Sequence, residues 1–213
     1  MGLNTGQWAA LIACGVLLLG YILGYYYNRQ KAVKIFNWLK EGLATLGTVT
    51  MGDKLPGMAS GGRLEVNQPA LPLKTVEAIY LMAPRENLIF FIFSLLQGRS
   101  DELIVWITYQ SKPEQSVEVA RRGNRQFAKR LRDTSKPPLI MLESASRLQV
   151  AAEEKRGAAI TSKVQALLQQ YPSSVVRLAL RPEKPHLFLR INLQIMQQVS
   201  AEQLFKELKG LPD

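Results

Sequence analysis

"WAALIACGVLLLGYILGYYY", Trp8 to Tyr27, is a run of twenty residues without a charge, and its reading decides what the remainder of the chain is for. As an α-helix rising about 1.5 Å per residue it covers the roughly 30 Å hydrocarbon core of a bilayer. Trp8 at one end and Tyr25, Tyr26 and Tyr27 at the other fall at the two interfaces, where an amphipathic ring keeps one edge wet. A cleaved signal peptide has a basic start and a shorter apolar core, and residues 1–7 carry no side-chain cation. "LIAC", Leu11 to Cys14, is similar to a bacterial lipoprotein cleavage box, but cleavage there leaves thirteen further apolar or aromatic residues at the new terminus. An uncleaved transmembrane anchor over residues 1–28 is therefore the expectation. Arg29, Lys31, Lys34 and Lys40 follow the span while no cation precedes it. The excess of positive charge marks the cytoplasmic side, so the N-terminus is expected outside and the C-terminal domain in the cytoplasm. Gly20 and Gly24 of "GYILG" form a GxxxG through which another membrane helix can approach closely.

Outward from the span, Ile35, Leu39, Leu43 and Leu46 recur at a period near 3.6 with Trp38 alongside. This predicts a juxtamembrane amphipathic helix over residues 29–49, its stripe packed on the following domain. Residues 50–73 are rich in Gly and Pro and read as a long loop with a short strand near Leu64 to Val66. Residues 74–213 suffice for one domain core. "TVEAIYLMA" alternates as a strand, and "PRENLIFFIFSLLQG" reads as a three-turn helix entered near Pro84 and closed at Gly98. Its run Leu88 to Leu96 is too short for a second span. "LIVWITY" and "SVEVARR" are β-branched runs expected to pair as a hairpin. "LIMLES" is a further strand, followed by a polar connection from Ala145 to Gly157. A helix then carries Ile160, Val164, Leu167, Leu168 and Tyr171 on one face. "SVVRLAL" and "HLFLRINL" form a second hairpin around "RPEKP", and a last helix begins with a capping box at Ser200 and Gln203. The fold class expected is α+β: a mostly antiparallel sheet with helices over one face, forming a sandwich behind one transmembrane helix.

The net charge is +10. From Arg121 to Lys136 there are seven cations against one anion, Asp133, so +6 of the excess sits in sixteen residues. Asn124 is a good N-cap that starts a helix ending before Pro137. Phe127 and Leu131 fall four apart and face inward, which leaves Arg125, Lys129, Arg130 and Arg132 outward beside Arg121 and Arg122. Such density points to phosphate-bearing partners, either RNA or anionic lipid headgroups, against the alternative of a merely hydrated face. Arg99, Lys112 and Lys155 extend the patch if the fold brings them near. Phe127 is the only aromatic in the stretch and belongs to the core, which argues against stacking on single-stranded bases.

Catalytic chemistry has little to draw on. With one cysteine, Cys14, and one histidine, His186, neither a disulfide nor a His/Cys metal set can be assembled. Asp101 with Glu102, and Glu153 with Glu154, read as solvated turn or helix-start residues, and His186 as a surface or edge residue. No phosphate-cradling glycine loop occurs. Neither an enzyme activity, a cofactor, a metal nor a small-molecule substrate is expected.

The order of segments is similar to that of a known family. A span ending in aromatics, "NWLKEGLATLG", a strand before "RENLIFFIFSLL", the passage into "RRGNRQFAKRLR", then "LIMLESASR" and "ALLQQYPSSVVRLAL…HLFLRINL" together resemble the calumin family. Its members are the coiled-coil-domain subunit of the translocon-associated intramembrane chaperone complex. The resemblance covers roughly residues 20–195, by order and hydrophobic pattern. It implies a non-enzymatic, single-pass membrane protein that binds the ribosome and translocation channel and helps polar membrane segments insert. The chain departs from the family in having neither a long acidic segment before the span nor an extended charged coiled coil at its end, as a smaller relative would. The partners expected are membrane lipid, a membrane-protein complex with a translocation channel, and ribosomal RNA. The alternative is a structural accessory subunit of a respiratory or photosynthetic complex.

Overall fold

The computed structural model describes residues 4–53, 61–133, 137–142, 148–153 and 158–212, with the side chains of residues 158–161 outside the description. Its first element is a single helix, α1, from Thr5 to Ala44. Asn4 caps it: the Asn4 side chain accepts from the Gln7 N–H at 2.9 Å, and the Gln7 side chain accepts from the Asn4 N–H at 2.9 Å. The anchor and the juxtamembrane helix expected as separate units are thus one rod, because residues 25–41 contain neither Gly nor Pro to interrupt it. The rod has two environments. In an 18-residue window of mean hydropathy 2.0 only 6% is buried, whereas Ile35, Leu39 and Leu43 further on are fully enclosed. Their spacing of four puts them on one stripe, which lies on the domain as anticipated.

Nine strands form one sheet in the order β1-β2-β3-β4-β9-β8-β5-β7-β6, and every pairing is antiparallel. In chain order they are β1 (Thr48–Met51), β2 (Gly61–Asn67), β3 (Leu73–Leu81), β4 (Glu102–Tyr109), β5 (Val117–Arg121), β6 (Leu139–Leu142), β7 (Leu148–Glu153), β8 (Val175–Leu180) and β9 (Leu187–Asn192). Between them run α2 (Leu88–Leu96), α3 (Arg125–Leu131) and α4 (Ala158–Gln170), and α5 (Ala201–Lys209) follows the last strand. Alternate residues such as Leu64, Ala78, Leu103, Val105, Val119 and Leu189 share one core with Ile35 and Leu39 of α1, Val164 and Leu167 of α4, and Leu204 and Phe205 of α5. The α1 and α5 backbones cross closely: a Cβ added at Gly42 would lie 2.4 Å from the Ala201 Cβ.

The fold class is the α+β arrangement read from the sequence, with four local differences. First, α3 packs on the opposite face of the sheet, so the helices do not all cover one side. Phe127 closes over Ala120 and Ala151, whose small side chains leave room for it. Second, β4 and β5 are not a hairpin, since β9 and β8 lie between them. A β-branched run identifies a strand but not its partner, which is chosen by tertiary packing. Third, much of the Gly/Pro-rich region of residues 50–73 is sheet. Gly61 lets the strands approach there: an added Cβ would come 2.7 Å from the Tyr80 carbonyl oxygen, a backbone atom. Fourth, β7 occupies part of the polar connection expected from Ala145 to Gly157. Its Ala151 and Ala152 are buried although the segment lacks the usual strand composition.

Several local readings agree with the structure. Asn124 accepts from the Gln126 and Phe127 N–H groups at 3.0 Å each, Gly123 makes the turn with φ +84°, and Phe127 is buried. β8 and β9 pair as the second hairpin. Val164, Leu167 and Leu168 are buried on α4 and Tyr171 is buried directly after it, while the side chain of Ile160 lies outside the described residues. Half of the expected capping box is present: the Ser200 side chain accepts from the Gln203 N–H at 3.3 Å, while the Gln203 side chain donates to Glu207 at 3.1 Å.

His186 is not at the surface: only 1% of it is exposed. Its Nδ1 accepts from the Tyr109 N–H at 3.1 Å, and the two rings stack. Burial, with Lys184 and Lys112 adding to it, pulls the imidazole pKa below its ordinary value. The neutral ring is the form whose Nδ1 can accept that bond.

Candidate membrane junction and basic surface

Where the apolar half of α1 gives way to the half packed on the domain, the side chains of Lys31 and Arg85 close on Asp101, with Asn28 joined to Arg85 beside them. Asp101 precedes β4 and is buried. Its Oδ1 accepts from the Ala83 N–H at 2.7 Å and from Arg85 Nη1 at 2.9 Å, and its Oδ2 accepts from Arg85 Nη2 at 2.9 Å. Lys31 Nζ of α1 reaches the same Oδ2 at 2.5 Å. Asn28, one turn earlier on α1, donates to the Ala83 carbonyl at 3.0 Å and to Glu86 at 2.6 Å, and accepts from Arg85 Nη1 at 3.0 Å. The Arg85 guanidinium lies 4.9 Å from the centre of the Tyr27 ring. α1, the end of β3 and the start of β4 are thereby tied at one point.

Burial of Asp101 on its own raises its pKa, but the hydrogen bonds from Arg85, Lys31 and the Ala83 N–H outweigh burial and hold the carboxyl below its ordinary value. A bidentate guanidinium fixes orientation as well as charge. Asp101 and Glu102 are therefore not solvated turn residues. Asp101 is the hub of this junction, and Glu102 sits in β4, where Arg190 pairs with it at 2.6 Å. Glu153 ends β7, and Glu154 lies outside the described residues. Sequence reasoning missed Asn28, Arg85 and Asp101 as partners, because charges flanking an apolar run read as hydrated until the run is seen to fold back on α1.

Gly20 and Gly24 face the chain's own next segment. A Cβ at Gly24 would come 2.0 Å from the Arg85 carbonyl oxygen, and one at Gly20 would touch Leu88 at 3.5 Å. The close approach they permit is taken up within the chain by residues 85–88. Trp8, Tyr25, Tyr26 and Tyr27 are all exposed, and Cys14 is exposed on α1.

The basic residues lie elsewhere, at the end of β5 and on α3. Arg122, Arg125, Lys129 and Arg132 are exposed. Arg121 is exposed but donates to the Ser173 carbonyl at 2.8 Å. Arg130 is half-buried and donates to the Pro137 carbonyl at 3.2 Å. Lys136 and Lys155 lie outside the described residues. Strand register relates this surface to the junction: Leu103 lies opposite Ile191, and Ile191 opposite Val175. Ala120 lies opposite Arg177. Arg121 and Arg122 thus leave the sheet at the same end as Asp101, three strand spacings or about 14 Å to the side. Lys112 follows the other end of β4, beyond Tyr109, and does not extend the patch.

The fold and junction define an α+β domain on a nine-stranded antiparallel sheet, built directly onto an N-terminal helix long and apolar enough to cross a membrane. No protein-family model matches the chain, and no curated protein matches it.

Proposed function

We propose that the chain is a non-enzymatic, single-pass membrane protein whose cytoplasmic domain is a docking subunit of a membrane-protein insertion machinery. The observation that carries this reading is the junction. α1 passes from twenty uncharged residues into the domain core without a break, and Asn28 and Lys31 lock it to β3 and β4. A leader destined for removal has no use for such a lock. A docking subunit does, because the lock sets the height and orientation of the domain over the bilayer. The positive flank of the helix supports the cytoplasmic side. The resemblance of the order of segments to that of the calumin family is the reason for naming insertion machinery as the partner.

In this orientation the end of the sheet that carries Arg121, Arg122 and α3 faces the bilayer, and the cations there meet anionic headgroups at the rim of the complex. Each contributes about 1 kcal/mol near such a surface and is screened by salt. Gentle solubilisation of native membranes followed by purification of the full-length chain tests the reading. The wild type is expected to bring a translocation channel and ribosomes with it. The triple variant Arg125→Glu, Lys129→Glu, Arg132→Glu is expected to fold normally, keep the channel and lose at least about tenfold of the co-purifying anionic lipid. Loss of ribosomes instead assigns the patch to RNA. Recovery of a respiratory or photosynthetic assembly overturns the function.

A further inference from the structure

α2 is an apolar helix that the described residues leave uncovered. Its sequence, "LIFFIFSLL", carries no charge, and Ile89, Phe90, Ile92, Phe93, Leu95 and Leu96 are between 49% and 78% exposed. They point to several sides of the helix. Only Ser94 is buried, with Leu88 and Phe91 partly covered. A helix lying on a protein or on a headgroup layer has a polar side, whereas one apolar all round needs an apolar environment all round.

The position of α2 says which environment that is. The Arg85 carbonyl lies against Gly24 and Leu88 against Gly20, so the chain runs back along α1 into the level of its uncharged stretch. Gly20 is seven residues from Tyr27, about 10 Å along the helix axis. Membrane-surface helices reach a comparable depth of about 5–10 Å. The excursion then returns, and Arg85 and Asp101 pin its two ends together with paired hydrogen bonds. Hydrocarbon penalises unpaired backbone groups, and both ends of α2 carry caps. The Asn87 side chain caps the Phe90 N–H at 3.2 Å, and at the other end Gly98 and Arg99 donate to the Leu95 and Ser94 carbonyls at 2.9 Å each.

We propose that α2 is immersed among the acyl chains of the leaflet on the domain side, so that the protein holds the membrane through a span and a second, non-spanning wedge. This rests on α1 being a membrane span. The wedge displaces lipid on one side of α1 only, which makes the bilayer beside the span locally asymmetric.

The test uses the full-length chain in phosphatidylcholine vesicles, with Cys14→Ser as background and a nitroxide placed by Ile92→Cys or Phe93→Cys. Leu18→Cys on α1 and Lys74→Cys at the far end of β3 are the references. Collision rates with oxygen, which concentrates in hydrocarbon, and with a polar nickel chelate, which does not, are read at each site. At 92 and 93 oxygen access is expected to match that at 18, with chelate access about tenfold or more below that at 74, since polar solutes partition poorly into hydrocarbon. High chelate access at 92 and 93 means a wet helix and overturns the proposal. Low access to both probes means cover by a second copy of the chain and also overturns it. If 18 is in hydrocarbon and 92 is not, the span stands and only the wedge fails. If 18 itself is wet, the span and the wedge fall together.

Discussion

Replacing Asp101 with alanine is expected to destabilise the domain by about 3 kcal/mol, with the loss concentrated where α1 joins the sheet. Removing one partner from a buried ion pair leaves the other charge without compensation, which typically costs about 3–5 kcal/mol. The lower end applies because Lys31 and Arg85 keep 33% and 18% of their side-chain surface exposed, against 4% for Asp101. The variant also strands the Ala83 N–H. Denaturant titration of the solubilised full-length chain measures the loss, and limited proteolysis between residues 85 and 101 shows where it falls. Glu102→Ala provides the contrast: the pair it breaks is more open to solvent, with Arg190 43% and Glu102 14% exposed, and solvent screening is expected to hold its loss to about 1 kcal/mol. Equal effects at 101 and 102 would mean that the junction is no more than surface charge. pH supplies the sign. The folded pKa of Asp101 is depressed, so its stabilisation is complete above the ordinary carboxylate pKa and is lost as pH falls through the depressed value. That part of the acid dependence is expected to vanish in Asp101→Ala.

A methyl group at Gly24 is expected to do comparable damage by separating α1 from the residue 85–88 segment. The added carbon would lie 2.0 Å from the Arg85 carbonyl oxygen and 2.6 Å from the Glu86 nitrogen, both backbone atoms that cannot swing aside. Overpacking of this kind costs about 1–3 kcal/mol, and here it also pulls Arg85 from Asn28 and Asp101. Against it stands the gain of up to about 1 kcal/mol that alanine brings to a helix over glycine. The net expectation for Gly24→Ala is a loss of about 2 kcal/mol. Gly15→Ala isolates the propensity gain, since no described residue lies within 4 Å of the added atom, and Gly20→Ala makes an ordinary contact with Leu88. Stability measured in detergent micelles should rank Gly15→Ala highest, Gly20→Ala next and Gly24→Ala clearly below the wild type. If all three behave alike, residues 85–88 do not pack on α1.

What the sequence made legible was what is encoded locally. The stripe Ile35, Leu39, Leu43 has helical spacing and is buried on the sheet, Asn124 is an N-cap whose signature lies within three residues, and the β8–β9 hairpin has its turn beside it. Features that depend on distant chain were not legible. β4 and β5 are adjacent in sequence but three places apart in the sheet, because strand choice follows packing. Of β2 only the stretch Leu64 to Val66 was legible, because Gly61 and Gly62 read as loop until Tyr80 is known to lie against them, and β7 was hidden by alanines that fit a sheet once Phe127 is known to fill the adjacent space. The junction was least visible of all. Asn28, Arg85 and Asp101 carry no shared pattern, and they meet only because the segment between Arg85 and Asp101, uncharged from Asn87 to Gly98, leaves the domain and returns to the same point on α1.

Protease protection of the full-length chain, in intact and in permeabilised cells, tests most directly whether α1 crosses the bilayer with the domain on its inner side. Residues 45–212 are expected to survive in intact cells, to be digested once the membrane is opened, and to stay with the membrane pellet through alkaline extraction. Digestion in intact cells, release into the alkaline supernatant, or a mature chain beginning at Cys14 would each contradict a retained span that holds its domain against the cytoplasmic face.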